Sequence, residues 1–186
     1  VNMRVFVGIT GASGTPYAVR LLSALRDAGV SLFIAVSRNG MEIMRHECGD
    51  VNLKSFGRVY DNDDLSAPVC SGSFHLDAAV VIPASCNTIS RIAYGLADTV
   101  ITRVALVCLK EGRKLVVVPR ETPVAAPTLR AMTALAEMGV VVLPASPAFY
   151  HRPRSVDDML DFIAGRVMDA LGISNDLYTR WSGAHS

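Results

Sequence analysis

The chain is poor in charge and in aromatic residues. Asp, Glu, Lys and Arg make up only 19% of its 186 residues, and 18 basic against 17 acidic side chains leave a net charge of +1. With the two signs interspersed, no broad basic face is expected, which argues against nucleic acid as a partner. Half of the chain is apolar, yet no uncharged apolar run approaches the roughly 20 residues that span a bilayer, so no membrane partner is expected either. The opening VNMRVF lacks the basic, apolar and small-residue order of a signal peptide, and the expected location is cytoplasmic. Cys48, Cys70, Cys86 and Cys108 form no C-x-x-C pair and have no histidine placed to complete a zinc site. They read as reduced, mostly buried thiols, and no metal is expected.

Two phosphate-binding motifs are also missing. Gly8, Gly11 and Gly14 do not fit G-x-G-x-x-G, and no Gly-Lys-Ser/Thr follows them. What stands there instead, RVFVGITGASGTPYAVRLLSALRDA from Arg4 to Ala28, is a strand, a glycine turn and a helix start in succession. A helix N-terminus carries unpaired N–H groups and partial positive charge, so the turn of Gly11, Ala12, Ser13 and Gly14 is suited to an anion.

The same alternation continues. The first helix, about Pro16 to Ala28, carries Tyr17, Leu21, Leu22 and Leu25 at helical spacing, and Val30 to Val36 is an apolar strand followed by Ser37 and a helix from about Asn39 to Cys48. The stretch from Asp50 to Ser73 has no regular pattern. Its Asp61-Asn62-Asp63-Asp64 cluster reads as a solvated turn, and Ser71-Gly72-Ser73 is a weak anion candidate. Ala78 to Pro83 is a strand running into Ser85-Cys86-Asn87-Thr88 and a helix through Ala97. A second helical pattern covers Thr99 to Lys110, and Leu115 to Val118 is a strand ending in Pro119-Arg120-Glu121. A helix over Thr128 to Met138, a strand over Val140 to Leu143 and a last helix opened by Ser155-Val-Asp-Asp158, with Val156, Met159, Leu160, Ile163 and Val167 as its apolar stripe, complete the pattern.

This is the signature of a single-domain α/β fold, a doubly wound, Rossmann-like, mostly parallel sheet with helices on both faces in flavodoxin-like layering. Its ligands are expected along the carboxyl ends of the strands. Two anion sites follow. One uses the Gly11 to Gly14 turn with Ser37, the other Tyr150 and Arg166 with Lys110 and Arg120. Arg166 stands among apolar helix positions and needs an acidic or anionic partner. Pro119 and Pro123 restrict the backbone around Arg120 and Glu121, so a fixed carboxylate lies beside fixed cations. Trp181, the only tryptophan, sits in a polar tail from Ser174 to Ser186 that is expected to pack on a neighbouring subunit. The apolar excess itself points to a homo-oligomer.

GITGASG (Gly8 to Gly14), PASCNT (Pro83 to Thr88), LKEGRKLVVVPRETP (Leu109 to Pro123) and PAFYHRPRSVDD (Pro147 to Asp158) resemble the flavin prenyltransferases, the UbiX/Pad-type flavoproteins, in the right order over nearly the whole chain. The last two stretches are specific to that group. PASCNT is less so, because flavin-dependent cysteine decarboxylases carry a similar PASANT, and that activity or a non-catalytic flavin-binding subunit are the alternatives.

The resemblance implies FMN against Gly11, Ala12, Ser13, Ser37, Ser85, Cys86, Asn87, Thr88 and Arg120. It implies dimethylallyl monophosphate or diphosphate held by Tyr150, Arg166 and Lys110, the lysine reaching across a subunit contact. The five-carbon unit would join N5 and C6 of reduced FMN with loss of phosphate and without metal. In that chemistry Glu121 is the candidate base, Glu47 a second acidic position, Ser13 a neighbour of N5, and Trp181 an aromatic lid on the prenyl site. Prenylated FMN would serve a UbiD-type decarboxylase, and the assembly would be a dodecamer.

Overall fold

The computed structural model describes residues 3–183, so the first two residues of the VNMRVF opening and the last three of the tail lie outside the described residues. Six strands, β1 (Arg4–Ile9), β2 (Ser31–Val36), β3 (Arg58–Asp61), β4 (Ala78–Ala84), β5 (Lys114–Pro119) and β6 (Val141–Val142), form one sheet in the order β3-β2-β1-β4-β5-β6, and every neighbouring pair is parallel. The helices are α1 (Thr15–Asp27), α2 (Arg38–Cys48), α3 (Cys86–Ala93), α4 (Val100–Lys110), α5 (Ala126–Glu137) and α6 (Val156–Leu171).

Because successive strand residues point to opposite faces, β1 divides its side chains between two cores. Val5, Val7 and Ile9 join α1, α2 and α6 on one face, while Phe6 joins α3, α4 and α5 on the other. Both faces are covered, which is why the inner strands are apolar without alternation and β4 is buried at all seven of its positions.

The sequence pattern hides β3. It is a four-residue edge strand whose end residues, Arg58 and Asp61, are charged and exposed. Charge and brevity protect an edge from pairing with another chain, and they also erase the hydrophobic signal. Three other expectations are corrected. The helix after β4 stops at Ala93 rather than Ala97, with Gly95 at φ +76° turning the chain. The last strand is only Val141–Val142, although Leu143 and Ala145 continue beside β5, donating to the carbonyls of Val117 and Pro119 at 2.8 Å each. Val156 is exposed rather than part of the apolar stripe of α6.

Gly57 lets β3 join the sheet. A Cβ there would lie 2.3 Å from the Leu32 carbonyl oxygen of β2, a backbone atom that cannot move aside. Gly57→Ala is expected to destabilise the fold by about 1–3 kcal/mol, the usual range for overpacking, and so to lower the melting temperature by roughly 3–10 °C, as a thermal melt followed by circular dichroism would read.

Candidate functional site

Strand order reverses between β1 and β4, and in an open parallel sheet the crevice at such a reversal is where ligands bind. Thr10, immediately after β1 and fully buried, ties the two strand ends together. Its N–H and hydroxyl both donate to the Pro83 carbonyl, at 3.2 and 2.7 Å, and its oxygen accepts from the Ser85 N–H at 2.8 Å.

Beside Thr10 opens a cavity of about 370 Å³, within the range of roughly 300–1,000 Å³ usual for small-molecule sites. Three helix starts face it: Ser37 and Asn39 of α2, Ser85, Asn87 and Thr88 of α3, and Thr99 and Thr102 of α4. Each is capped by its own hydroxyl, Ser37 accepting from Gly40, Ser85 from Thr88 and Thr99 from Thr102. Partial positive charge from three helices therefore converges on one volume. The four charged residues lining it, Arg38, Arg91, Asp63 and Asp98, cancel in sign, and Arg91 is paired with Asp98. Gly11 also lines the cavity, and a Cβ there would lie 2.8 Å from Cβ of Asn39, so only glycine lets this turn approach α2.

The first helix is the exception. At the start of α1 an anion is already present, the carboxylate of Glu47 from the last turn of α2. It accepts from the N–H groups of Gly14 and Thr15 at 3.0 and 2.9 Å, from the Thr15 hydroxyl at 2.6 Å and from the Ser13 hydroxyl. The expectation that the Gly11 to Gly14 turn offers a free helix end to a ligand is thus corrected, since the chain supplies the carboxylate itself. Partial burial would raise the pKa of Glu47. The hydrogen bonds from Ser13, Thr15 and the backbone overcome that and hold its pKa below the ordinary carboxyl value.

At the end of β5 the Arg120 Nε donates to the Ser13 carbonyl at 2.8 Å. Glu121 accepts from the Thr122 N–H at 3.0 Å through one oxygen, and from the Cys86 thiol at 3.5 Å through the other. Ser13, Cys86, Arg120 and Glu121, far apart in sequence, are thereby brought to one place, with Ala12 buried beneath the turn.

The second expected cluster forms around α6. Tyr150 meets the Trp181 ring edge to face at 5.6 Å and Phe162 at 6.1 Å. Arg166 points outward, not into the apolar face, and its Nη1 donates to the Tyr178 hydroxyl at 3.3 Å with Asp169 at 3.9 Å. The tail, expected on a neighbouring subunit, folds back over α6 of its own chain as far as Trp181. Lys110 is not brought here. It ends α4 just before β5 begins, at the amino edge of the sheet, and pairs with Glu111. Ser71-Gly72-Ser73 lies at that same edge, bound through the Gly72 carbonyl to Arg113.

Sequence reasoning missed Thr10, Asn39, Asn62, Arg91 and Thr99 as parts of the cavity wall. Asn62, placed in a solvated turn, is buried and holds the start of α4. Its carbonyl accepts from Val100 at 2.8 Å and its side-chain oxygen from Ile101 at 3.1 Å. The Thr99-x-x-Thr102 capping box was the readable signal for that helix start.

The Flavoprotein family model matches residues 1–168. Flavin prenyltransferase UbiX of Thermoplasma acidophilum is 49% identical over 183 residues, covering 96% of this chain and all of that protein. The chain belongs to the flavin prenyltransferase family. Among solved structures of the family, AnUbiX in complex with FMN and dimethylallyl pyrophosphate superposes with a TM-score of 0.96 at 35% identity, over 98% of this chain and 99% of that one. A dodecameric FMN-dependent UbiX-like decarboxylase from Escherichia coli gives 0.94 at 39% identity, over 97% of this chain and all of that one. The flavin prenyltransferase fold thus extends across both clusters.

Glu47 stabilises the fold only while ionised. Its pKa in the folded chain lies below the ordinary 4.5, so its contribution is complete above that value and is lost as pH falls through the lowered one. Glu47→Gln is expected to lower the urea midpoint at pH 7, with the gap to the parent protein closing below pH 4.5.

Proposed function

We propose that the protein is a flavin prenyltransferase that joins a dimethylallyl group from dimethylallyl monophosphate or diphosphate to N5 and C6 of reduced FMN, releasing phosphate without a metal ion. The observation that carries this reading is the position of Pro119 to Glu121 between two anion-accepting regions. Arg120 bonds Ser13 on the side of the cavity, and Pro119 accepts from Ala145, five residues before Tyr150, on the other.

The cavity suits a flat, phosphorylated cofactor. It has the volume, a wall of neutral donors from three helix starts, and charged side chains that sum to zero. Gly11, Ser37, Ser85, Asn87 and Thr88 line the cavity and would hold FMN there, with Ala12, Ser13, Cys86 and Arg120 contributing from the neighbouring strand ends outside its lining. When bound, reduced FMN supplies the nucleophilic ring atoms that the five-carbon unit joins.

The chain's own residues do the rest. Tyr150 and Arg166 donate to the substrate phosphate and neutralise the charge that grows on it as the allylic C–O bond breaks. Arg120, anchored on Ser13, adds a fixed positive charge between the two sites. Trp181 packs on Tyr150 and covers the allyl group, keeping water from a delocalised cation. Glu121, oriented by the Thr122 N–H, takes the proton lost at C6. Glu47 orders Ser13 beside the flavin and holds the turn beneath it.

Lys110 reaches the phosphate from a neighbouring copy, because its own chain places it at the far edge of the sheet. A dodecamer like that of the Escherichia coli relative would bring such edges together, and the exposed apolar side chains Tyr94, Leu96, Leu129 and Phe149 are available for its contacts. Among the described residues no group of three His, Cys, Asp or Glu could hold a metal ion; in the proposed reaction the cations of the site take the electrostatic role. All four cysteines are free, but only Cys108 is buried, which corrects the expectation of mostly buried thiols; no helix among the described residues is long and apolar enough to cross a membrane. The prenylated flavin would be consumed by a UbiD-type decarboxylase.

Anaerobic incubation of the protein with reduced FMN and dimethylallyl monophosphate in EDTA is expected to give a flavin heavier by one five-carbon unit in the mass spectrum. An unchanged flavin mass would return the reading to a cysteine decarboxylase or a flavin carrier. Glu121→Gln is expected to slow turnover by about 10²–10⁴, the usual share of a general base, with FMN still bound. Arg166→Ala is expected chiefly to raise KM for the allyl phosphate.

A further inference from the structure

Arg166 and Arg180 lie side by side and are almost equally exposed, 53% and 54% of their side chains, yet they are paired quite differently. Arg180 makes a two-pronged bond to Asp169, Nη2 to Oδ1 at 2.7 Å and Nη1 to Oδ2 at 2.9 Å. Asp169 also accepts from the Tyr178 hydroxyl at 2.5 Å and the Asn175 amide at 2.9 Å. Arg166, three residues before Asp169 on the same helix face, is left with the Tyr178 phenol at 3.3 Å and stands 3.9 Å from the carboxylate. An (i, i+3) Arg–Asp neighbour pair on a helix would ordinarily close. Here the two carboxylate oxygens are already taken by a guanidinium in the planar geometry that suits it.

The same bond fixes the tail. From Asn175 to Trp181 the chain crosses back over α6 at Gly165, where a Cβ would lie 2.5 Å from the Tyr178 ring. Tyr178 packs edge-on against Phe162 at 5.0 Å, Arg180 lies over the Tyr178 ring at 5.1 Å, and the next residue, Trp181, meets Tyr150.

We infer that Arg180 and Asp169 are a positioning pair for the phosphate end of the substrate site: Arg180 occupies Asp169 so that Arg166 keeps its charge for an incoming phosphate, and the bond between them sets Trp181 on Tyr150. The inference rests on the proposed phosphate role of Arg166 and assigns work to two residues outside that role. Hydrogen bonds from Arg180, Tyr178 and Asn175 outweigh the cost of partial burial and hold the Asp169 carboxyl at a pKa of about 2, so the carboxylate stays charged at any working pH. Without Arg180 it would turn to the nearest cation, Arg166.

The test is a double-mutant cycle in the full-length protein loaded with FMN. Arg180→Gln is expected to raise KM for dimethylallyl monophosphate about five- to tenfold, as coupling within one network allows, with FMN affinity unchanged. It should also lower the fluorescence anisotropy of Trp181, the single tryptophan. Adding Asp169→Asn to that variant should return KM to within about threefold of the parent, because Arg166 is free again, while the anisotropy stays low. A merely structural bond predicts the opposite, a double variant no better than Arg180→Gln. That outcome, an unchanged KM in Arg180→Gln, or equal loss of FMN and substrate would overturn the inference. Titration of Trp181 emission with inorganic phosphate is expected to give the same ranking of parent, single and double variants without turnover. A parent protein that binds phosphate in this order but forms no prenylated flavin would sink the proposed activity and leave the positioning pair standing.

Discussion

The reversal of strand order between β1 and β4 is the constraint on which the rest depends. Crossovers leaving β1 and β4 run to opposite sides, so the strand ends part and a crevice opens that no side chain of the sheet can fill. Thr10 is what keeps the opening narrow. By exchanging hydrogen bonds with Pro83 and Ser85 it replaces the ladder that a continuing pair of strands would have made. Its hydroxyl is used as donor and acceptor at once, and a valine of the same shape would leave the Ser85 N–H unpaired and the Pro83 carbonyl with only the backbone N–H of residue 10.

A crevice ringed by helix starts attracts anions indiscriminately, and the chain restricts where one can sit. Of the four helix starts nearest the strand ends, α1 is closed by Glu47, while α2, α3 and α4 open onto the cavity. The internal carboxylate has two effects. It removes the competing site, and it draws Ser13, Gly14 and Thr15 into one rigid turn, whose Ser13 carbonyl then receives Arg120. A carboxylate 73 residues earlier in the chain thus helps fix the guanidinium at the end of β5.

Most of this architecture was legible in the sequence because it depends on local signals. Apolar runs marked the inner strands, Ser37 and Ser155 marked helix starts, and PASCNT and PRETP stood where strand ends had to be. The convergence of Ser13, Cys86, Arg120 and Glu121 followed from a parallel sheet alone. What was hidden depends on long-range choices. The strand β3 is too short and too charged to show periodicity, so Asn62 at its end could not be seen as the cap of α4, 38 residues later. Glu47 was singled out only through the family resemblance, as a second acidic position, since nothing in His46-Glu47-Cys48 announces that a turn 33 residues earlier waits for it. Arg166 was expected to be inward because the apolar stripe was drawn too wide, whereas the helix face it occupies belongs to the returning tail.

The two anion-accepting regions differ in a way that suits different tasks. The cavity offers neutral donors and cancelling charges, a field made by fixed backbone dipoles that holds an anion without changing as it binds. The surface of α6 offers guanidinium groups paired to different degrees, Arg180 to both oxygens of Asp169 and Arg166 to the Tyr178 phenol. In the proposed reaction the flavin keeps its own phosphate, which suits the first kind of contact. An anion that appears only as a bond breaks needs the second, because stabilisation counts toward rate only where it strengthens on the way to the transition state. A cation fully neutralised beforehand by a carboxylate has less to give at that moment than one held by a phenol. The uneven pairing of Arg166 and Arg180 around one Asp169, with Arg180 on both carboxylate oxygens and Arg166 3.9 Å away, therefore fits the leaving-group role proposed for Arg166.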